Sequence, residues 1–216
     1  MEKRSHWVFA GCSQCRLRFP LDLAQSSGQF CPRCGAVLRQ LAERVPQSAD
    51  IHEPVKRRPG RQMAGLLDNL RSAQNVGAIF RSADGAGFSA LHLCGLTPRP
   101  DEQTGIAKTA LGSEAHMAWQ YAPDAFEEAN ALIKAGFKVA VLEASEQAHD
   151  LFLWQIPAGW QKLVLVAGNE VAGVDPALVG IAHVVLKLPM IGMKGSLNVA
   201  SAFSIAAYHL RFGRGD

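Results

Sequence analysis

From residue 63 onward, short apolar runs alternate with stretches of helical periodicity. The runs at 64–68, 90–95, 117–121, 137–143, 162–168 and 183–188 read as strands. Helical spacing predicts helices over 75–86, 104–112, 123–135, 175–181 and 196–212. Pro123 and Asp124 open the third helix and Gly136 closes it. A run such as Lys162–Gly168 is too apolar for a strand with one wet face, and suits a parallel sheet covered on both sides. Strands alternating with helices imply an α/β fold. There is no internal repeat and no low-complexity tract.

Residues 1–62 follow another pattern. Residues 1–45 have too few apolar positions for an independent core, and residues 46–62 carry three prolines with little to bury. The division expected is therefore a small module over 1–45, a basic linker over 46–62 and a large domain over 63–216. A mass of 23.3 kDa accommodates that arrangement.

Charge divides at the same place. Residues 1–62 hold 11 Lys/Arg against 5 Asp/Glu, and residues 63–216 hold 11 against 14, within a net charge of +3. A basic part beside a slightly acidic one suggests contact with a polyanion, although a solvated linker explains the excess equally well. Lys56, Arg57, Arg58 and Arg61 are the linker cations available to a phosphate backbone. At 48% hydrophobic residues the chain is no disordered protein, and no window approaches the roughly 18 uninterrupted apolar residues of a membrane span. The apolar run Trp7–Gly11 is too short for a secretory signal, so a soluble, cytoplasmic protein is expected.

Four of the five cysteines lie within 23 residues, as Cys12-x2-Cys15 and Cys31-x2-Cys34 with fifteen residues between. Two thiolates on one tight turn reach the same ion, and two such turns complete a tetrahedron, so the spacing predicts a structural zinc site. Four thiolates leave no open coordination position for catalysis. Gly35 gives the backbone room after the last ligand. Cys94, inside the run 90–96, reads as a buried strand residue. Trp7, Phe9, Phe19 and Phe30 either form the module's small core or stack on unpaired bases; the core is the more economical assignment.

No G-x-x-x-x-G-K-[ST] loop occurs, and Gly85-Ala86-Gly87 precedes a strand rather than following one. Ordinary nucleotide triphosphatases and dehydrogenases are thereby disfavoured. Three other segments remain: Asn75 with Arg81 six residues on, Gly168-Asn169-Glu170-Val171-Ala172-Gly173, and Pro189-Met190-Ile191-Gly192 running to Ser196-Leu197-Asn198. Taken singly, Asn75 and Ser196 could be helix N-caps, and Arg81 and Glu170 surface residues. Taken in order and at these intervals, the three resemble the motifs of the SpoU (TrmH) branch of the SPOUT RNA methyltransferases, and the likeness covers 63–216. The stretch Lys108–Glu114 is similar to a feature of one branch of that family.

The resemblance implies a six-stranded, mainly parallel sheet with helices on both faces and a trefoil-knotted C-terminal segment, here preceded by a zinc-ribbon-like module. It implies S-adenosylmethionine as methyl donor, held by Gly168, Leu188 and Leu197 with Ile191 and Met193 nearby. It implies a homodimer whose active site is completed across the interface, acting on a ribose 2′-hydroxyl of tRNA or ribosomal RNA, with tRNA slightly favoured. Arg81 is the residue implied to activate the hydroxyl. An arginine stays protonated, so binding the neighbouring phosphate and orienting the nucleophile is the more economical role. Asn75, Ser196 and Asn198 would position ribose and loops, and Glu170 would orient Arg81 or shape its own turn. The competing reading keeps the fold but makes the chain a catalytically silent RNA-binding protein with the zinc module as adaptor.

Overall fold

The structure, a computed structural model, describes residues 6–25, 28–44 and 60–213. The chain forms two compact units, Met1–Lys56 and Arg57–Asp216. Most of the 46–62 stretch, including Lys56, Arg57 and Arg58, lies outside the described residues.

In the first unit β1 (Trp7–Cys12) is the centre of a three-stranded antiparallel sheet, flanked by β2 (Arg18–Asp22) and β3 (Leu38–Glu43). Sequence patterning at 1–45 missed these strands. Side chains alternate along β1: Val8, Ala10 and Cys12 are buried, whereas Trp7 and Phe9 are 38% and 37% exposed. The two C-x2-C segments form matching turns. Arg16 N–H donates to Cys12 O and Gly35 N–H donates to Cys31 O, with Arg16 and Gly35 at φ 62 and 74. Trp7, Phe9 and Phe30 are exposed rather than gathered into a core. The buried apolar residues described there are Val8, Ala10, Cys12 and Cys31, small residues and sulfur in place of aromatic rings.

The second unit carries a seven-stranded sheet, in which every pairing is parallel. In chain order its strands are β4 (Gln62–Asp68), β5 (Ala90–Cys94), β6 (Trp119–Ala122), β7 (Lys138–Leu142), β8 (His149–Asp150), β9 (Lys162–Ala167) and β10 (Val184–Lys187). In space they run β6-β5-β4-β9-β7-β10-β8. The six strands expected are all present. The seventh, β8, pairs only His149 and Asp150 with the end of β10, too short to show in a hydrophobic pattern.

Both faces of this sheet are buried, as the continuous apolar runs require. Leu163, Leu165 and Ala167 of β9 join one core with α1 (Ala73–Gly85) and α6 (Val199–Phe212). Val164 and Val166 join the other, under α4 (Ala125–Lys134) and α5 (Pro176–Gly180). Phe203 of α6 is fully buried, and a Cβ on Gly65 would stand 3.1 Å from its ring. Asp124 caps α4 by accepting from the N–H groups of Phe126 and Glu127, and Gly136 follows the helix at φ 90.

The single helix expected over 104–112 is two short ones, α2 (Ala107–Ala110) and α3 (Ser113–His116). They are separated by Leu111 and Gly112 in left-handed conformation. The stretch Lys108–Glu114 thereby packs against α1. Thr109 Oγ1 donates to Gln74 O at 2.9 Å, and a Cβ on Gly77 would lie only 2.3 Å from Ile106 O. No described helix is long and apolar enough to cross a membrane.

Candidate active site

Because the strands of the second unit are parallel, their carboxyl ends share one edge, where open α/β sheets bind ligands. The ends of β7, β9 and β10 and the loops after them enclose a cleft of about 330 Å³. That is within the range of about 300–1,000 Å³ typical of small-molecule sites. Gly168, Leu188 and Leu197 line it, together with Glu170, Ser196 and Asn198. Leu142, Glu143 and Ala144 at the end of β7 also line it, and no motif pointed to them.

Gly168 ends β9 where the chain turns back on itself. A Cβ there would stand 2.5 Å from both Gly173 O and Val174 N, so only glycine fits. Asn169 and Gly173 exchange backbone hydrogen bonds at 3.0 Å, and Asn169 Oδ1 accepts from the N–H groups of Val171 and Ala172. Asn169 Nδ2 ties this turn to Asn69 O at 2.7 Å. Glu143 braces the far side, its Oε2 accepting from Val174 N–H at 2.9 Å.

Glu170 stands at the crest of that turn and faces the start of α1. It accepts from Arg71 N–H (2.9 Å), Ser72 N–H (3.2 Å) and Asn75 Nδ2 (2.9 Å). Burial pushes its carboxyl upward, but the hydrogen bonds from Asn75, Arg71 and Ser72 outweigh this and hold it below the usual carboxylate range. No contact joins Glu170 to Arg81, contrary to one of the two roles expected for it; the turn aims the carboxylate at a helix N-terminus, where anions are favoured.

Asn75 is the third residue of α1, not its cap. Ser72 caps the helix through Asn75 N–H at 3.2 Å. The Asn75 side chain is free to donate to Glu170 and to accept from Asn198 Nδ2 at 3.0 Å. Asn198, rather than Ser196, caps α6: its Oδ1 accepts from Ala200 and Ser201 N–H at 2.9 and 3.2 Å. One hydrogen-bonded chain, Glu170–Asn75–Asn198, therefore joins residues 95 and 123 positions apart in sequence.

The structure does not bring all the expected residues together. Ile191 and Met193 are fully exposed and stand outside the cleft lining. Their backbone belongs to a loop without regular structure between β10 and α6. Arg81 lies six residues beyond Asn75, about 240° around α1 and 9 Å along it. It is exposed and has no hydrogen-bond or ion-pair partner among the described residues. Cys94 is buried, and burial pushes its thiol up to about 12, which removes it as a nucleophile.

In the first unit the four thiols converge. All four sulfurs lie within 4.8 Å of one another, with Cys12–Cys34 and Cys15–Cys31 at 3.5 Å. Ligands about 2.3 Å from a tetrahedral ion stand roughly 3.8 Å apart, so the donor set fits zinc. No disulfide joins them. Backbone N–H groups of Cys15 and Arg33 donate to the sulfurs of Cys12 and Cys31, an arrangement that favours the thiolate form of those two ligands.

The SpoU rRNA Methylase family model matches residues 63–208. The chain is 32% identical to the 23S rRNA (guanosine(2553)-2′-O)-methyltransferase RlmP of Bacillus subtilis over 76% of this chain and 64% of that protein. It thus spans less than two thirds of that relative. It is 28% identical to a tRNA (guanosine(18)-2′-O)-methyltransferase of Thermus thermophilus, over 72% and 77% of the two chains. Among solved structures, an AdoMet-bound rRNA methyltransferase from Sinorhizobium meliloti aligns with a TM-score of 0.63 and 26% identity, covering 82% of this chain and 65% of that one. The chain belongs to the SpoU methylase family.

Proposed function

We propose that this SpoU-family chain is an S-adenosylmethionine-dependent methyltransferase acting on a ribose 2′-hydroxyl of RNA. The observation that carries the reading is the Glu170–Asn75–Asn198 chain, which fastens three separate segments around one cleft. The cleft suits the cofactor. Leu142, Leu188 and Leu197 offer aliphatic cover for an adenine, and Gly168 lets backbone approach closely. Glu143 and Glu170 bring negative charge near a ligand whose sulfonium and ammonium are positive. Among the described residues Lys187 is the only basic one lining it, which disfavours a phosphate-rich nucleotide.

S-adenosylmethionine supplies an electrophilic methyl, whose C–S bond breaks as the C–O2′ bond forms, leaving a neutral thioether. The protein's task is to position the alcohol and dispose of its proton. Asn75 and Asn198 hold the loops without carrying net charge, and Glu170 locks the Gly168–Gly173 turn to α1. Ser196 lines the cleft and offers the ribose a hydroxyl contact. Arg81 grips the phosphate beside the nucleophile with its guanidinium fork, and that phosphate receives the proton.

Arg81 is exposed and does not line its own cleft, which supports completion of the site by a second copy. On α6 the apolar residues Ile205, Tyr208 and Phe212 are exposed. Tyr208 hydroxyl sits against Gly85, one helical turn beyond Arg81. A homodimer closing over this stripe would carry Arg81 toward the partner's cleft. The four cysteines bind a structural zinc, and the basic N-terminal part supplies RNA affinity that an acidic 63–216 lacks.

The test is methyl transfer from labelled S-adenosylmethionine to fractionated tRNA and ribosomal RNA, with nucleoside mass analysis. A 2′-O-methylated nucleoside that disappears in Arg81→Ala is expected. Full activity in Arg81→Lys would remove the bidentate role, and absence of cofactor binding would overturn the reading. tRNA is the first substrate to offer, and both classes occur among the relatives.

A further inference from the structure

The exposed face of the three-stranded sheet has a composition that zinc binding does not explain. Trp7 and Phe9 stand on one side of β1, away from the cysteine turns, at 38% and 37% exposure. Register fixes their neighbours, because residues opposite each other in antiparallel strands project to the same side. Phe9 pairs with Pro20 on β2 and with Ala42 on β3, and Gly11 pairs with Arg18 and Arg39. Leu41, half exposed at a register shift, leans over Gly11, where a Cβ would meet its Cδ1 at 2.6 Å.

The result is a patch of two aromatic rings, proline and leucine, flanked by two arginines. Arg18 and Arg39 are exposed and have no hydrogen-bond or ion-pair partner among the described residues. Among the described residues the only carboxylate in register with this face, Asp22 opposite Trp7, is buried and turned into its own loop, accepting from His6 and Ala24 N–H. The patch is thus cationic as well as apolar.

We propose that this face binds unpaired nucleotides of the RNA substrate, with bases stacked on Trp7 and Phe9 and phosphates held by Arg18 and Arg39. The proposal deepens the RNA-methyltransferase reading and rests on it for the identity of the substrate. Trp7 and Phe9, two residues apart on one strand, are roughly 7 Å apart, a spacing for successive bases of an extended strand rather than of a duplex. Aromatic platforms on sheets flanked by cations take any base by its face. The cationic flank selects a nucleic acid over an apolar peptide or a neutral protein surface.

The experiment uses the full-length, zinc-loaded chain. Binding of a labelled, unstructured 12-nucleotide RNA is followed by anisotropy over a series of salt concentrations. S-adenosylmethionine binding and zinc content are measured in parallel on every variant. Trp7→Ala and Phe9→Ala are each expected to weaken RNA binding about tenfold. Trp7→Phe should restore most of it. Arg18→Gln with Arg39→Gln should lower the salt slope by about 1.4, the value for two phosphate contacts on single strands. Zinc content and cofactor affinity should stay unchanged. A Trp7→Ala, Phe9→Ala double variant with wild-type RNA affinity would overturn the proposal, as would a hairpin duplex bound as tightly as the single strand. Loss of zinc or a changed oligomeric state in that double variant would also overturn it, by showing the face to be covered by protein. A chain that binds this RNA through the face but never binds S-adenosylmethionine would instead refute the methyltransferase reading and leave the RNA site standing.

Discussion

Asn198 Nδ2 donates to Asn75 Oδ1 at 3.0 Å while Asn198 Oδ1 caps α6, so one side chain performs two separable tasks. Asn198→Asp keeps the capping acceptor but loses the donor and sets a carboxylate against Asn75 Oδ1. Its thermal midpoint should stay near wild type while methyl transfer falls about 100-fold, the scale of a misplaced positioning group. Asn198→Ala should also cost about 1 kcal/mol of stability through the lost cap. An Asp variant with wild-type turnover would show that the link to Asn75 is irrelevant to activity.

Glu170 should make stability depend on pH in the acid range. Its folded carboxyl is held below the ordinary value, so its stabilisation is complete above the unfolded value of about 4.3. That contribution is lost as pH falls through the lower folded value. Glu170→Gln should therefore have a lower thermal midpoint than wild type at pH 6, and the gap should close as acid is added. A gap constant from pH 6 to pH 3 would show that ionisation of Glu170 carries no weight.

Gly168→Ala places a methyl 2.5 Å from Gly173 O and Val174 N, both backbone. The Gly168–Gly173 turn must open to accommodate it, at a cost of about 1–3 kcal/mol. Cofactor affinity should fall more than global stability, because the displaced turn is a wall of the cleft. Calorimetric titration with S-adenosylmethionine reads this directly, and unchanged affinity would place the ligand elsewhere.

Removing zinc should melt the first unit alone. Among the described residues Val8, Ala10, Cys12 and Cys31 are its buried apolar ones, too few to hold a sheet without the metal. A chelator should expose residues 6–44 to protease while 60–213 keeps its circular dichroism and its cofactor binding. Survival of the N-terminal sheet in chelator would argue for a fold independent of the metal.

Phe203 sits fully buried against Gly65 and Phe88. Phe203→Ala should destabilise the second unit by about 3–5 kcal/mol in urea denaturation. A smaller loss would mean that α6 collapses into the vacated space.

Hydrophobic patterning located β4, β5, β7, β9 and β10 to within a few residues, because buried parallel strands are apolar at every position. The motif residues were legible for a different reason: Gly168 is demanded by a backbone contact only five residues away. What could not be read was decided by distant partners. Glu170 turns toward α1 rather than Arg81 because Arg71 and Ser72 present N–H groups 98–99 residues earlier. Asn198 displaced Ser196 as cap because Asn75 holds its other end. Glu143 carries no motif signature, and its place beside the cleft follows from β7 lying next to β9. Ile191 and Met193 were assigned by neighbourhood in sequence, which an extended loop does not honour.

The strand order has a kinetic consequence. β9 must enter between β4 and β7, and Asn198 must reach back 123 residues to Asn75. Contacts that span so much chain close late, after shorter loops have formed. During synthesis α1 is complete long before its partners on β9 and α6 have been made, so part of its apolar face waits uncovered. The candidate cleft is consequently closed late, after Asn198 has been made. A ribosome-bound fragment lacking α6 would already hold all seven strands of the sheet but would leave one of its two cores without the cover of Phe203.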